Sequence, residues 1–203
     1  MSMQLEANHI SFRYATGGQW VLRDLSVKVD GGESVALVGP SGCGKSTLAK
    51  ILAGYIKPNA GEVLLGGQPL PTHGFCPVQM IHQHPELSVN PRHKMEKVLN
   101  EAWRPDESLL RDMGIEKEWL SRWPNELSGG ELQRFCIARV LSPETKFLIC
   151  DEISTMLDVI TQAQIWRIVL DAAQKNGLGL IVVTHNKALA ERVCDRIISL
   201  SDR

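Results

Sequence analysis

The 203-residue sequence has no apolar run approaching the roughly 18 residues of a membrane-spanning helix, so we expect no transmembrane segment. It has no excess of either charge, because 22 Lys and Arg stand against 23 Asp and Glu. This balance provides no overall basic surface for a nucleic acid, and we expect no nucleic-acid partner. Neither a basic segment nor an apolar run follows Met1, so we also expect no secretory signal.

The cysteines show no pairing pattern. Five are scattered along the chain, and no two of them form a C-x-x-C pair. An odd, unpatterned set in apolar surroundings predicts reduced thiols and a cytosolic protein. Cys43 lies in a glycine-rich loop, where a redox role is one interpretation and a small residue at a variable position is the simpler one.

That glycine-rich loop is the strongest motif in the chain. Residues 39–47 fit G-x-x-x-x-G-K-[ST] between an apolar run at 35–38, typical of a strand, and a helical pattern at 48–53. Glycines let backbone N–H groups surround a polyphosphate, and the helix N-terminus favours its negative charge. A plain glycine-rich turn is the alternative, but the Lys-Ser pair after a strand favours nucleoside triphosphate binding. The predicted nucleotide contacts are Gly39, Pro40, Ser41, Gly42, Cys43, Gly44, Lys45, Ser46 and Thr47.

An acidic pair follows a second apolar run. Residues 147–150 are apolar and precede Asp151 and Glu152. The carboxyl ends of parallel strands face one crevice, so we expect Asp151 beside Ser46 and Mg²⁺, and Glu152 beside the γ-phosphate and the attacking water. Lys45 is predicted to reach the β- and γ-phosphates. A helix N-cap is the alternative for the acidic pair taken alone.

Leu127-Ser128-Gly129-Gly130-Glu131 resembles the signature of the ATP-binding cassette (ABC) ATPases, and the likeness extends from Leu5 to Leu200. It implies ATP hydrolysis with Mg²⁺ in a head-to-tail dimer, either a homodimer or a heterodimer with a paralogous cassette. It also implies transmembrane permease subunits and a peripheral place on the cytoplasmic face of the cell membrane. The signature residues that would close over the partner's ATP are Ser128, Gly129, Gly130 and Glu131.

Further positions resemble functional residues of this family. Gln83 resembles the Q-loop glutamine that contacts Mg²⁺, and His185 resembles the switch histidine that contacts the γ-phosphate. Asp158 resembles the D-loop aspartate of the dimer seam. Tyr14 is placed to stack on adenine, with hydrophobic packing as the alternative. The predicted catalytic residues are Glu152, His185, Gln83 and Lys45, and the predicted Mg²⁺ ligands are Ser46, Gln83 and Asp151.

We predict an α/β P-loop NTPase (RecA-like) fold, with a parallel sheet core, an N-terminal antiparallel β layer and an inserted small helical subdomain. Alternating apolar and polar residues predict strands at 4–11 and 21–29, before the glycine-rich loop at 39–47, which we call the P-loop. We expect one nucleotide-binding domain over residues 1–203, with the core and β layer in 1–82 and 127–203 and the Q-loop and helical subdomain in 83–126. Further predicted elements are helices at 130–141 and 187–193, strands at 146–150, 178–184 and 196–200, and an amphipathic helix with Ile165, Ile168, Val169 and Ala172 on one face.

Within the family, residues 83–92 and 157–165 resemble importers of the oligopeptide, dipeptide and nickel group. This likeness favours an ATPase subunit that powers uptake of peptides, nickel or a similar small solute by ATP-driven dimer closure. A soluble cassette ATPase serving an enzyme complex, translation or repair is the alternative. The chain departs from the family at Ile153, where proline is usual, and at Met156, where a small residue is usual.

The importer likeness also implies a groove that receives a short helix of the transmembrane subunit. Its predicted walls are the apolar residues Leu87, Val89, Met95 and Val98, with Trp103 beside them. For Val98 and Trp103, a place in the core of the subdomain is the alternative. His82, His84 and His93 lie in the same region, but no cysteine or acidic residue completes an obvious metal site, so the Q-loop interpretation is preferred.

Overall fold

The chain is represented by a computed structural model that describes residues 3–154 and 157–200. Within these residues, no helix is both long and apolar enough to span a membrane. The predicted α/β order is confirmed, and most element ends lie within two residues of the predicted positions. In chain order the elements are β1 (Gln4–Phe12), β2 (Leu22–Asp30), β3 (Ser34–Val38), α1 (Lys45–Leu52), β4 (Ala60–Leu65), β5 (Gln68–Pro69), β6 (Val78–Ile81), α2 (Met95–Leu99), α3 (Glu107–Asp112), α4 (Gly129–Val140), β7 (Phe147–Asp151), α5 (Val159–Asn176), β8 (Gly179–Val183), α6 (Lys187–Val193) and β9 (Arg196–Ser199).

A parallel sheet forms the centre of the molecule, with strand order β6-β7-β8-β3-β9. Strands β7 and β8 are buried along their whole length, as expected for a parallel sheet that is covered on both faces. All these strands run in one direction, so their carboxyl ends lie along one edge. The P-loop follows β3, Asp151 ends β7 with Glu152 directly after it, and His185 follows β8, which brings the predicted site residues to the same edge.

An antiparallel sheet of order β2-β1-β4-β5 packs beside this core. Leu5, Ala7 and Ile10 of β1 are fully buried, while the residues between them are partly or fully exposed. This alternation places one face of β1 against a cluster that includes Leu48 of α1 and Leu37 of β3. The β layer therefore supports the strand and the helix on either side of the P-loop.

The apolar residues of the segment after β6 belong to a buried cluster that also includes residues of α4, β7 and β8, and this corrects part of the docking prediction. Met95 and Val98 are fully buried and Val89 is 7% exposed, so these three residues do not form the walls of an open groove. This segment has only short helices, and its apolar side chains are needed to complete the shared core. Leu87, in contrast, is 81% exposed. Trp103 is half-buried and donates its indole N–H to the Arg139 carbonyl at 2.9 Å.

Helix α5 packs its predicted face against the core. Ile165 and Val169 are fully buried, and Ile168 and Ala172 are partly buried against the same cluster, as expected. Trp166 lies outside the predicted face but is also buried, and its indole N–H donates to Ser154 Oγ at 3.0 Å. This bond joins α5 to the segment just after β7.

One ion pair joins the turn before β3 to the edge strand β9. Arg196 Nε donates to Glu33 Oε1 at 2.7 Å, and its Nη2 donates to the Lys28 carbonyl at 2.6 Å. The hydrogen bond from Arg196 lowers the pKa of Glu33 below its ordinary value of 4.5. The charged carboxylate therefore stabilises the folded chain above that ordinary pKa, and this contribution is lost as the pH falls through the lowered pKa.

We expect Glu33→Gln to lower the free energy of unfolding by about 1 kcal/mol at pH 7, because the pair is partly exposed. The difference between variant and wild type should be smaller at pH 4 than at pH 7, because the charged form of Glu33 is lost as the pH falls from 4.5 through the lowered pKa. Urea unfolding at both pH values measures it, with Glu62→Gln on the exposed surface of β4 as the control. An equal effect at both pH values would show that the charge of Glu33 is not the cause.

Candidate active site

The P-loop follows a path that few side chains allow. Gly42 and Gly44 have φ values of +85° and +96°, in the left-handed region that glycine enters without strain. A Cβ on Gly44 would lie 2.8 Å from Leu22 Cδ2, and one on Gly39 would overlap the Leu200 carbonyl oxygen. The glycines of the motif are therefore required by the conformation of the loop and by its close packing.

Helix α1 begins directly after Gly44, and its first turn contains no acidic residue. Lys45, in that first turn, is only 7% exposed. Its ammonium donates to the carbonyls of Gly39 at 2.8 Å and Pro40 at 2.9 Å. The loop thus surrounds a fixed positive charge at a helix N-terminus, an arrangement that favours a bound anion.

Ser46 and Asp151 meet across the sheet edge as predicted. Ser46 Oγ donates to Asp151 Oδ1 at 3.0 Å, although the two residues are 105 positions apart. Burial raises the pKa of Asp151, and the Ser46 hydroxyl opposes this shift. A buried carboxylate beside a hydroxyl provides the hard oxygen ligands that Mg²⁺ prefers, and a cation would favour the charged form of Asp151. This pair fits the expected metal.

Glu152 lies at the end of β7 with its backbone in the left-handed region, at a φ of +49°. A residue other than glycine pays about 1 kcal/mol or more for this conformation, which clusters at functional sites. Its carboxylate lies 3.2 Å from His185 Nδ1 and accepts the Gln83 amide at 3.4 Å. Gln83, Glu152 and His185 follow β6, β7 and β8, so three neighbouring strands bring the predicted catalytic groups together.

Tyr14 lies above the start of α1. Its hydroxyl is 3.0 Å from Thr47 Oγ1, and its ring packs edge-on against Phe12 with centroids 4.9 Å apart. The residue is 68% exposed, so hydrophobic packing accounts for only part of its ring. In the same turn, Arg13 stacks 4.6 Å from the ring of Trp20, a contact that the sequence reasoning did not identify.

The signature forms the beginning of helix α4. Ser128 Oγ accepts the Glu131 N–H at 3.3 Å, and Glu131 Oε2 accepts the Ser128 N–H at 2.7 Å. This reciprocal capping box fixes the helix start and leaves Ser128 and Gly129 exposed. Gly130 packs beside Thr161 of α5, where a Cβ would lie 3.4 Å from Thr161 Cγ2.

Asp158 caps α5 next to the signature. Its Oδ1 accepts the N–H groups of Ile160 and Thr161 at 3.0 Å each, and its Oδ2 accepts the Thr161 hydroxyl at 2.6 Å. These bonds give Asp158 a structural role as an N-cap, and they lower its pKa. Thr155 and Met156, the other D-loop positions of interest, lie outside the described residues.

The three histidines near Gln83 have different partners. His82 packs on Tyr55, with ring centroids 5.5 Å apart, while His84 and His93 lie 3.2 Å from Glu86 and Glu101 respectively. Over residues 3–154 and 157–200, no cluster of His, Cys, Asp and Glu is arranged to hold a metal ion. The structure gives no support to the metal interpretation of this segment.

Known proteins resemble this chain in sequence. A family model described as ABC transporter matches residues 22–155. The chain is 37% identical to the nickel import ATP-binding protein NikE of Rhodospirillum rubrum, over 90% of the chain and 73% of that protein. It is 35% identical to NikE of Escherichia coli K12, over 98% of the chain and 84% of that protein.

A solved structure agrees with the fold. The dimeric, post-hydrolysis ATP-binding cassette MJ0796, bound to ADP and Pi, superimposes with a TM-score of 0.82 at 25% identity, covering 98% of this chain and 94% of that chain. The family model spans more than half of the sequence, and the relatives extend the match along nearly all of it. The chain therefore belongs to the ABC transporter family and is one of its ATP-hydrolysing cassettes.

Proposed function

We propose that the chain is the ATP-hydrolysing subunit of an importer for nickel or a similar small solute, bound peripherally to transmembrane permease subunits. The observation that carries this proposal is the meeting of P-loop, acidic pair, Gln83 and His185 at one sheet edge. Two relatives of 35% identity or more are nickel import ATP-binding proteins, which supports transport over the soluble alternative.

The residues at the sheet edge divide the chemistry between them. Ser46 and Asp151 would hold Mg²⁺, which when bound neutralises phosphate charge. Gln83, whose amide contacts Glu152, the residue after Asp151, would contribute a further oxygen. Lys45 stabilises the β- and γ-phosphates. Glu152 accepts a proton from the attacking water, because a carboxylate away from the metal keeps its basicity. His185 orients that carboxylate and contacts the γ-phosphate.

A second cassette completes the site, either a copy of this chain or a paralogue. The exposed Ser128 and Gly129 offer a hydroxyl and backbone N–H groups at a helix N-terminus, which suits the γ-phosphate of ATP bound to the partner. Asp158 lies in the same surface region, next to Thr161 and the signature. The dimeric cassette of similar fold supports this arrangement.

The permease would dock beside Leu87. Tyr55 and Leu87 are 61% and 81% exposed, and they line a hollow together with His82 and Arg139. Exposed apolar side chains around a hollow favour an apolar partner segment. This surface replaces the groove predicted from Val89, Met95 and Val98, which are core residues.

Leu87 and Val89 give matched variants for this surface. We expect Leu87→Asp to leave ATP hydrolysis by the isolated chain unchanged and to weaken its recovery with membranes. Val89→Asp should instead lower the free energy of unfolding by about 3 kcal/mol, because it buries an unpaired charge. Thermal unfolding, ATPase rates and membrane co-sedimentation measure the contrast. Equal membrane recovery of wild type and Leu87→Asp would place the docking surface elsewhere.

Transport itself is tested in cells that produce the chain with its native membrane partners. The wild type should co-purify with a polytopic membrane protein and support uptake of ⁶³Ni²⁺, whereas Glu152→Gln should co-purify and support none. A chain recovered only from the soluble fraction would favour the soluble alternative. Uptake of nickel that does not depend on Glu152 would contradict the assignment of this chain as the ATPase that powers nickel uptake.

A further inference from the structure

The loop that carries Tyr14 is held at both ends. It joins β1 to β2 over residues 13–21, and the Val21 N–H donates to the Phe12 carbonyl at 2.8 Å. The Arg13 guanidinium lies 4.6 Å from the centroid of the Trp20 ring. The Arg13 N–H donates to Asn59 Oδ1 at 2.8 Å, just before β4. Because these contacts close the loop, Tyr14 projects from a backbone that is fixed on either side of it.

Two further contacts define the position of the Tyr14 ring. Its hydroxyl lies within hydrogen-bond distance of Thr47 Oγ1, at 3.0 Å. Its ring packs edge-on against Phe12, with centroids 4.9 Å apart and planes at 86°. The phenol oxygen lies on the axis about which a tyrosine ring turns, so the Thr47 bond fixes where the ring points but not its rotation. The Phe12 contact fixes that rotation, because edge-to-face aromatic pairs are a preferred geometry.

Both partners of the ring are held firmly, whereas the ring itself is open. Phe12, at the end of β1, and Thr47, in the first turn of α1, are each 7% exposed. Tyr14, in contrast, is 68% exposed. An aromatic ring that is fixed in position and largely exposed provides a surface on which a flat nucleotide base can stack.

The Thr47 bond also sets the ring relative to the phosphate site. Thr47 follows Lys45 and Ser46 in the same helical turn. The ring and the proposed phosphate-binding groups are therefore held by one short, rigid piece of structure. A ring that was free to change direction would have to be ordered when a nucleotide binds, and that ordering would lower the affinity.

We propose that Thr47 is a positioning residue, whose hydroxyl holds the Tyr14 ring in place for the adenine base before the nucleotide binds. The inference rests on the nucleotide site of the proposed function. Removal of either hydroxyl leaves the ring present but frees its direction. The loss should therefore concern ligands that carry the base, and the affinity for phosphate groups alone should be preserved.

The test compares Tyr14→Phe, Thr47→Val and the double variant with wild type as full chains. Titration calorimetry uses ADP, which carries the base but no γ-phosphate, and inorganic pyrophosphate, which carries no base. We expect each single variant to bind ADP about fivefold more weakly, as is typical for the loss of one hydrogen bond. The double variant should also lose about fivefold, because both changes remove the same bond, whereas independent effects would multiply to about 25-fold. Pyrophosphate affinity should stay within about twofold of wild type in all three.

Three controls separate positioning of the ring from a structural effect. Thr47→Ser keeps the hydroxyl and should bind ADP within about twofold of wild type. Tyr14→Ala removes the ring as well, so it should lose about 30-fold in ADP affinity. Thr72→Val changes an exposed threonine before β6 and should have no effect. Thermal unfolding without nucleotide shows that each variant is folded.

Wild-type ADP affinity in folded Tyr14→Phe, or a loss of about 25-fold in the double variant, would overturn the inference while leaving the proposed function intact. An equal loss of pyrophosphate affinity in Thr47→Val would also overturn it, because Thr47 would then act on the phosphates directly. If Thr47→Val does not fold, the comparison of ADP with pyrophosphate in Tyr14→Phe decides. A wild type that neither binds ADP nor hydrolyses ATP would overturn the proposed function, and this inference with it.

Discussion

Glu152→Gln is expected to lower steady-state ATP turnover by about 100-fold or more while ATP affinity stays within about twofold of wild type. The amide keeps the size of the side chain and its contacts near His185 and Gln83, but it cannot accept a proton from water. Bound ATP should therefore persist, and the variant should accumulate as a closed dimer. Rapid-quench ATPase assays and sedimentation velocity with Mg-ATP measure these two results.

Glu144→Gln, which changes an exposed glutamate just before β7, is the matched control and should hydrolyse ATP at the wild-type rate. His185→Ala should lower turnover as well, because it removes the group 3.2 Å from the Glu152 carboxylate. Near-normal turnover in Glu152→Gln would contradict its role as the general base. Loss of ATP binding in that variant would instead indicate that Glu152 holds the nucleotide or the metal.

Lys45→Ala is expected to weaken ATP binding by about 100-fold, or about 2.7 kcal/mol, because a buried cation that faces the phosphates is lost. Turnover at any practical ATP concentration should fall with it. The ammonium also donates to the Gly39 and Pro40 carbonyls, so a small loss of stability without nucleotide is expected. Titration calorimetry with ATP and thermal unfolding of the nucleotide-free chain separate the two effects.

The exposed Lys57, which follows α1, provides the control. Lys57→Ala should bind ATP like the wild type, since its charge lies on the outer surface. A Lys45→Ala chain that binds ATP with wild-type affinity would show that the loop backbone and helix dipole suffice for the phosphates. A loss of binding in both variants would point to a general effect of net charge.

Much of the site was predictable, because parallel strands bring the residues at their carboxyl ends to the same edge of the sheet. Ser46 and Asp151 are 105 residues apart, yet they meet at 3.0 Å because β3 and β7 end at the same sheet edge. Motif spacing and strand order together locate Glu152 and His185 in the same way. Local signals are sufficient where a regular element fixes both the position and the direction of a side chain.

The sequence was less informative where packing between irregular segments determines which side chains are buried. Val89 has the same apolar character as Leu87, but one is buried and the other is 81% exposed. Hydrophobicity does not show which side of a short turn faces the core. Likewise, the bond between Arg139 and the Ser88 carbonyl joins residues 51 positions apart and leaves no periodic pattern. The buried bond from the Trp166 indole to Ser154 Oγ also leaves no pattern in the sequence.

We propose that hydrolysis needs two chains, with Ser128 of each serving the ATP of its partner. The most direct measurement is the specific ATPase rate of the wild-type chain at saturating Mg-ATP over a wide range of protein concentrations, with the oligomeric state followed at each concentration. We expect the ATPase rate per chain to fall as the protein is diluted and to approach zero where the chain sediments as a monomer. A constant rate per chain, maintained by a strictly monomeric protein, would contradict it.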